Sequence, residues 1–508
     1  MKRAPTAIGL AAGALLLVGG ACSRREPPAA LTISVPWQVD TLDPHARDRL
    51  GSSAVSAQVY EPLVALDAEM GIRPALAERW DTPDLLTWVF RLREGVRFHG
   101  GGELTAADVV GTFDRLRADP SLACGIYLAQ IDGYRALDER TVEVRTRRPL
   151  GVLLNKLAKV YVVPRGAGAS LASRADGTGP YRLVSFGRGR VELARNESYW
   201  GPRPDVASAT LLLERSDEEA ARDFGEGRAD LVQCPNRELL ARLAARDDAT
   251  ISRRPELFVK YLGFDVSRET TPFVKGSPNP FRSRAVREAI SLGLDRKALV
   301  AGLPTHAVPA PQLVPPSIFG YDPSLSEPVH DPSRAVRLLQ EAGFPNGFDV
   351  TLHTRTRWAE VGRLIGRLLA PIGVRVAVAE LPEAEFYESA ARGGLSFFFA
   401  SFGCASGDAS DLLDAAFRSS DPARRLGTSN YGGFSDPALE AAIERSAEIL
   451  ESVDRRSALW AIFHRIAAEH VWLPLYVDEN AYAVRKPFQF HPRANSYVLA
   501  ADVFLPRR

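Results

Sequence analysis

The chain has 508 residues, more than one hydrophobic core usually supports, so we expect at least two lobes. Its 63 basic and 62 acidic residues nearly cancel, and the formal net charge of +1 excludes a strong global field that would attract nucleic acid or an anionic membrane surface. We therefore expect no nucleic-acid partner.

The first residues have the pattern of an export signal. A charged start precedes an apolar run at 7–18, which is too short to span a membrane as a mature helix. Small residues at 19–21 lead into Cys22, and this ending resembles the lipobox of bacterial lipoproteins, although Gly19 stands where leucine is usual. The resemblance implies cleavage before Cys22 and a diacylglycerol on its sulfur. The alternative is an ordinary signal peptide, and either way the mature chain is exported.

Strand-like and helical patterns alternate along the rest of the chain and predict a mixed α/β fold. Strands are expected at 31–35, 141–145, 211–213, 350–352, 374–378 and 397–399. The best-marked helix has Asp331 as its N-cap, a proline at its first position and Gly343 as its stop. Further helices are expected to start at Thr105, Ser283 and Asp436. Their apolar stripes indicate core packing.

The sequence offers no pattern that supports catalysis or metal binding. The glycine run at 100–102 lacks the lysine of a phosphate-binding loop, and the serine in 403–407 stands one position late for a nucleophile elbow. Cys124, Cys234 and Cys404 contain no CxxC pair and allow at most one disulfide. The closest two histidines lie on different helix faces. We therefore expect no enzyme activity, no cofactor and no metal.

Motifs spread from Asp40 to Tyr476 resemble those of the large solute-binding proteins of oligopeptide, dipeptide and nickel ABC importers, family 5. The most specific block is 87–108, TWVFRLREGVRFHGGGELTAAD. The others are DTLDP at 40–44, YEPLV at 60–64, PALAERW at 74–80, GTGPY at 177–181, RN and YW within 195–200, YLGF at 261–264, the segments 280–296 and 430–437, EAGF at 341–344 and LPLY at 473–476. These motifs identify a fold better than a ligand.

The resemblance implies a two-lobed α/β periplasmic-binding-protein fold, of type II and the large peptide-binding class, with a third subdomain inserted in lobe I. The implied parts are a signal peptide at 1–21, a flexible tether at 22–30, lobe I at 31–60, 176–264 and 475–508, the insertion at 61–175, and lobe II at 265–474. Crossing segments near 264–265 and 473–476 would act as hinges. Closure of the lobes on the ligand would be the signal that the importer reads.

The expected function is the substrate-binding component of an ABC importer. It would capture a peptide or peptide-like solute and deliver it to the permease and ATPase subunits. We expect a periplasmic or otherwise extracytoplasmic monomer that meets the membrane only through the lipid on Cys22. The alternatives are a non-peptide solute, such as a sugar, nickel chelate or opine, and a role as a periplasmic sensor or chaperone. An enzyme is a more distant alternative.

The resemblance also implies where a peptide's amino terminus would bind. In peptide-binding relatives a tryptophan followed three positions later by aspartate forms this anchor, which works because the cleft excludes water. The matching positions here are Phe402 and Ala405, so the anchor is missing. Asp408 is the nearest carboxylate that could replace it, and an exposed or helix-capping aspartate is the alternative. The lost anchor favours the non-peptide alternative.

Two arginines are candidates for the other end of the ligand. Arg355 and Arg357 follow the strand at 350–352, where a dipeptide-binding relative places a carboxylate-binding arginine. Guanidinium groups bind carboxylates with paired hydrogen bonds. The alternative is that both arginines are simply solvated.

Four further residues complete the expected ligand-binding site. Trp37 and Gln38 end the first strand, at the edge where open α/β sheets bind ligands. Asn430 and Tyr431 lie in the matching motif of lobe II. Core packing is the competing explanation for the two aromatic residues.

Overall fold

The computed structural model describes residue 1, residues 29–274 and residues 278–506. The expected signal peptide beyond residue 1, Cys22 and the tether up to residue 28 lie outside the described residues, so their prediction stays untested. Within the described ranges, no helix has the length and apolar content needed to cross a membrane.

The helices and strands follow one another in an α/β order. The strands are β1 Ala30–Ser34, β2 Val64–Leu66, β3 Ile72–Pro74, β4 Ala77–Asp81, β5 Thr87–Leu92, β6 Ile131–Asp138, β7 Thr141–Thr146, β8 Tyr181–Gly187, β9 Arg190–Arg195, β10 Ser208–Leu212, β11 Leu231–Gln233, β12 Ala249–Phe264, β13 Ala307–Pro309, β14 Phe348–Arg355, β15 Val374–Leu381, β16 Phe397–Gly403, β17 Trp472–Arg485, β18 Gln489–Phe490 and β19 Val503–Phe504. The helices are α1 Leu50–Val59, α2 Ala106–Ala118, α3 Leu153–Leu157, α4 Asp217–Gly225, α5 Arg237–Ala244, α6 Arg284–Gly293, α7 Arg296–Ala301, α8 Pro332–Glu341, α9 Ala359–Leu369, α10 Glu383–Ala391, α11 Ser410–Ala416, α12 Pro437–Glu448 and α13 Ser452–Glu469. Each predicted strand falls on one of these strands, so those predictions are confirmed.

The predicted helix starts are also confirmed, because local capping decides them. Asp331 accepts a hydrogen bond from the backbone N–H of Arg334 at 2.8 Å, and α8 follows it. Asp436 caps α12 in the same way, and Thr105 forms a capping box at the start of α2. Ser283 occupies the N-cap of α6 without a side-chain hydrogen bond.

One large sheet runs through both halves of the molecule. Its strand order is β15-β14-β16-β12-β17-β11-β1-β10-β9-β8, and β13 pairs with β17 off this path. β12 and β17 are long enough to belong to both halves: residues 249–255 of β12 pair with 479–485, and residues 259–263 pair with 472–477. The register shifts between Pro255 and Val259. This shift lies upstream of 264–265, where the sequence placed the first hinge.

The segment between α1 and β8 forms a hydrophobic cluster of its own, beside a four-stranded sheet of order β4-β5-β7-β6. Its buried centre includes Phe90 and Phe113. Three further large clusters lie on either side of the crossing strands, one of them around β1 and β10 and two others around β12 and β16. Below, "insertion" denotes residues 61–175, "lobe I" residues 31–60, 176–264 and 475–508, and "lobe II" residues 265–474, which are the ranges expected from the sequence.

Three of the resembling motifs meet at the buried carboxylate of Glu61. Thr178 Oγ1 donates to it at 2.9 Å, Tyr199 OH at 2.9 Å and Trp200 Nε1 at 2.7 Å. Burial raises the pKa of Glu61, and the three donors offset part of that rise. These motifs therefore join the insertion to lobe I and are part of the scaffold.

Candidate ligand-binding site

Arg355 stands at the end of β14 with its side chain only 4% exposed. Its Cζ lies 3.7 Å from the ring centroid of Trp358 and 5.6 Å from that of Tyr387. Its Nη2 donates to Ser401 Oγ at 3.2 Å and its Nη1 to Glu383 Oε1 at 3.2 Å. The buried Nε has no hydrogen-bond partner among the described residues. The guanidinium is thus held in place while part of its donor capacity is unused.

The charge of Arg355 is only partly balanced. Burial lowers its pKa, although a guanidinium stays protonated at physiological pH. Its one close carboxylate, Glu383, is 58% exposed and therefore well solvated. Such a counter-ion can give way to the carboxylate of a ligand, because water stabilises Glu383 when it leaves.

An aromatic cavity of about 230 Å³ lies beside Arg355. Its lining residues are Phe258, Tyr261, Tyr387, Ala400, Ser401, Phe402, Gly403, Ser429 and Tyr431. Ser401 belongs both to this wall and to the hydrogen bonds of Arg355. The structure therefore brings together Arg355, Phe402 and Tyr431. The volume fits one side chain or one end of a ligand, since whole-ligand sites occupy about 300–1,000 Å³.

Arg357 lies outside this arrangement. Its side chain is 59% exposed, its Cζ is 4.8 Å from the Trp358 ring centroid, and its Nη2 is 4.0 Å from Glu383. The two arginines thus stack on the same indole and share one carboxylate. Their burial separates them, and Arg355 is the one beside the cavity.

Asp408 is fully buried and already paired. Arg455 donates to its two carboxylate oxygens at 2.5 and 2.8 Å, and the backbone N–H of Ser410 donates at 2.9 Å. Burial raises the pKa of Asp408, but the charge and hydrogen bonds of Arg455 outweigh it and hold the pKa below its usual range. The expectation that Asp408 meets a ligand ammonium does not fit this geometry, because its charge is neutralised within lobe II.

Three other residues expected in the site, Trp37, Gln38 and Asn430, do not line the aromatic cavity beside Arg355. Trp37 is buried in the lobe I core, and a Cβ on Gly51 would come within 2.9 Å of its Cβ. Gln38 is exposed. The amide of Asn430 donates to the carbonyls of Arg418 at 3.0 Å and Phe434 at 2.7 Å, so it closes a turn. The burial of Trp37 therefore fits core packing, the alternative explanation for this residue.

Sequence reasoning missed the residues that face the loop at 404–408 from the other side. Ala405 lines a cavity of about 570 Å³ whose other walls come from lobe I and the insertion, including Lys159 and Tyr497. Lys159 Nζ lies 3.1 Å from Asp48 Oδ1, and Tyr127 OH also donates to Asp48. Burial opposes ionisation of Asp48, but Lys159 and Tyr127 hold its pKa below the usual range. No local signal joins positions so far apart in the chain.

The cysteines do not form a bridge among the described residues. Cys124, Cys234 and Cys404 are buried, free thiols. Burial raises the pKa of each of them, so they remain protonated and unreactive.

Comparison with known proteins gives one family. Residues 71–423 match the model described as "Bacterial extracellular solute-binding proteins, family 5 Middle". The glutathione-binding protein GsiB of Shigella dysenteriae serotype 1 is 27% identical over 470 residues, which cover 88% of this chain and 89% of that protein.

Two solved structures share the fold. The periplasmic binding protein DppA from Helicobacter pylori, in complex with the peptide STSA, has a TM-score of 0.75 and 20% identity, with 94% of this chain and 98% of that chain covered. NikA from Brucella suis, in complex with Fe(III)-EDTA, has a TM-score of 0.80 and 22% identity, with coverage of 94% and 100%. The two-lobed α/β fold of periplasmic binding proteins is therefore confirmed for this chain.

Proposed function

We propose a specific function on the premise that the chain belongs to the bacterial extracellular solute-binding proteins, family 5. Proteins of this family are extracytoplasmic, non-enzymatic components of ABC importers that bind peptides or related ligands. The chain is thus a solute-binding protein and not an enzyme, as its sequence predicts.

The ligand that we propose is a peptide or peptide-like solute whose carboxylate binds Arg355. One observation carries this proposal: a buried cation with an unused Nε donor stands beside an aromatic cavity. Burying a cation is costly unless an anion and hydrogen bonds compensate it, and the solvated Glu383 does this only in part. A ligand carboxylate at Arg355 would complete the compensation. The adjoining cavity would hold an apolar part of the same ligand.

A free amino terminus is not needed in this proposal. Ala405 carries no charge and Asp408 is committed to Arg455, so the loop at 404–408 offers no anchor for an ammonium group. The ligands in the names of the relatives, glutathione, a peptide and EDTA, all carry carboxylates. This shared chemistry supports recognition through Arg355 and leaves a carboxylate-bearing chelate or opine as the second candidate.

The proposal includes closure of lobes I and II about the crossing strands. The register shift at 255–259 of β12 and the facing 477–479 of β17 are suited to bending, since such irregularities let a long strand change direction. Lys260 lies beside the shift, with Nζ 2.5 Å from Glu256 Oε1 and 2.8 Å from Asp478 Oδ2. This partly buried charge cluster would keep the two strands together while the lobes rotate.

The proposal also includes the membrane anchor and partners. We propose that a diacylglycerol on Cys22 and the tether at 22–30 hold a monomeric protein beside its permease and ATPase subunits. The charged start, the apolar run at 7–18 and the small residues before Cys22 support this part.

Isothermal titration calorimetry with the ligand-stripped protein tests the proposed ligand. The peptide Ser-Thr-Ser-Ala would be compared with its C-terminal amide and its N-acetyl form. We expect the amide to lose about 2–5 kcal/mol of binding free energy, because it leaves Arg355 without an anion, and acetylation to change little. Arg355→Gln should abolish the difference between acid and amide, whereas Arg357→Gln serves as the matched control and should keep it. Equal binding of acid and amide by the wild-type protein would contradict the proposal.

A further inference from the structure

A cavity of about 630 Å³ lies at the seam between the insertion and lobe II. Its insertion wall includes Met70, Trp88 and Leu154, and its lobe II wall includes Phe319 and Arg456. It shares no lining residue with the aromatic cavity beside Arg355 or with the cavity at Ala405. Its volume is within the range of small-molecule binding sites, about 300–1,000 Å³.

The two walls of this seam cavity are fastened to each other. The backbone N–H of Gly151 donates to the Ala447 carbonyl at 2.8 Å, and a Cβ on Gly151 would lie 2.1 Å from the Ile449 carbonyl oxygen. The Asn155 amide donates to the Ser406 carbonyl at 2.9 Å. Such close backbone contact distinguishes the cavity from a gap between loosely associated parts.

Two polar side chains that line the seam cavity, those of Trp88 and Arg456, can only donate hydrogen bonds. Trp88 is 6% exposed, and its indole Nε1 has no hydrogen-bond partner among the described residues. Arg456 is exposed at the mouth of the cavity, its Cζ lies 5.1 Å from the ring centroid of Phe319, and its guanidinium forms no ion pair among the described residues. The lining carboxylates are already paired, Glu69 with Arg254 and Asp408 with Arg455. The cavity therefore favours an acceptor, and preferably an anion.

We propose that the seam cavity is a second binding site, for a small carboxylate with an apolar body. The carboxylate would accept hydrogen bonds from the donors at Trp88 and Arg456. The apolar body would pack against the side chains of Met70, Leu154 and Phe319, which supply a hydrophobic and aromatic surface. A ligand there contacts the insertion and lobe II together, so its full binding energy is available only while the seam is closed.

Titration of the full mature chain, stripped of carried-over ligand, with 2-naphthoate tests this site. 2-Naphthylmethanol is the neutral comparison. We expect saturable binding of the acid and a loss of roughly tenfold or more for the alcohol, because charge-assisted hydrogen bonds are lost. Arg456→Gln should give a similar loss for the acid, whereas Arg456→Lys, the matched control, should retain most of the affinity. Trp88→Phe should weaken binding several-fold, and circular dichroism would verify that each variant is folded.

Arg355→Gln separates this site from the ligand site proposed at Arg355 and its aromatic cavity, which is called the cleft site here. Binding of 2-naphthoate that persists in Arg355→Gln and falls in Arg456→Gln supports the seam cavity, whatever happens to peptide binding. Binding that is lost in Arg355→Gln and unchanged in Arg456→Gln and Trp88→Phe would mean that the probe occupies the cleft, and would overturn the inference. Absence of saturable binding to the wild-type protein would overturn it as well.

Discussion

Arg455 and Arg355 are two buried arginines of lobe II that differ in how fully their positive charge is balanced by carboxylates and hydrogen bonds. The side chain of Arg455 is 3% exposed, and its three nitrogens reach both oxygens of buried Asp408 and the Ser446 carbonyl. Arg355 is 4% exposed, but its Nε is unpartnered and its counter-ion Glu383 faces water. Burial alone does not distinguish a scaffold cation from a binding cation. The combination of an unused donor, a solvated counter-ion and an adjoining aromatic cavity is the basis on which we propose Arg355 as the binding cation.

Breaking the Asp408–Arg455 pair should have the largest effect on stability. Asp408→Asn leaves the Arg455 cation buried without a full counter-charge, and we expect a loss of about 3–5 kcal/mol in the free energy of unfolding at neutral pH. Urea denaturation measures it. Because the folded-state pKa of Asp408 is depressed, its contribution is present above the unfolded pKa near 3.8 and is lost as the pH falls through the folded value.

The double variant Asp408→Asn/Arg455→Met provides the control for this experiment. It removes the stranded charge and should recover part of the stability, since an apolar replacement of a buried ion pair is often tolerated. A single variant as stable as the wild type would show that the pair is not part of the scaffold.

Removal of the Arg355 charge should change binding and leave folding nearly intact. Arg355→Met keeps the contact with Trp358 and removes an incompletely compensated cation, so we expect the free energy of unfolding to change by less than about 1 kcal/mol. The affinity for a carboxylate ligand should fall by about 2–5 kcal/mol. Denaturation and calorimetry on the same preparation measure the two quantities. A stability loss as large as that of Asp408→Asn would erase the contrast between the two arginines.

Asp411, in the first turn of α11, is a partly buried carboxylate that forms no ion pair among the described residues, although the more distant Lys156 lowers its pKa slightly. Burial raises its pKa to about 6, and the neighbouring Asp408 charge contributes to the rise. A raised folded-state pKa means that stability is fully present below the unfolded pKa near 3.8 and is lost as the pH rises to about 6. The change corresponds to about 2–3 kcal/mol, at 1.36 kcal/mol for each pKa unit.

Asp411→Asn tests this dependence because its amide oxygen can still accept the hydrogen bond that Ser406 N–H makes to Asp411 at 2.9 Å. The variant should gain stability over the wild type progressively between pH 4 and 6, measured by urea denaturation at each pH. A constant difference across that range would contradict the assignment.

The features that could be predicted from the sequence are those that depend on residues close together in the chain. Asp331 and Asp436 cap helices through hydrogen bonds to backbone groups two or three positions away, so their helices could be placed from the sequence. The sequence did not predict that Asp408 pairs with Arg455, because Arg455 is 47 positions away on α13. Nothing local in the sequence distinguishes a carboxylate with such a partner from a free one.

The arginine pair shows the same limit. Arg355 and Arg357 have the same local pattern and stack on the same Trp358. The structure separates them because Arg355 also lies near Tyr387, which comes from a distant part of the chain. The motifs predicted the two-lobed fold since much of their content is scaffold. Glu61, for example, joins three of them at one buried carboxylate.

Glu61 should give the smallest effect, and it sharpens the distinction between charge and hydrogen bonding. Its three neighbours donate to it, yet only the Trp200 indole cannot also accept. In Glu61→Gln the amide oxygen can serve Trp200 and Thr178, while the new N–H₂ group donates to a rotated Tyr199 hydroxyl. We therefore expect a change of at most about 1 kcal/mol in the free energy of unfolding at neutral pH, measured by urea denaturation.

Because burial raises the pKa of Glu61, ionisation costs wild-type stability as the pH rises through 4.5 toward the folded value, and the glutamine variant should lack this dependence. Glu61→Leu is the control: it leaves the Trp200 N–H buried without an acceptor and should cost about 1–3 kcal/mol. If the glutamine variant were as unstable as the leucine variant, the negative charge, and not the set of acceptors, would be what holds the insertion to lobe I.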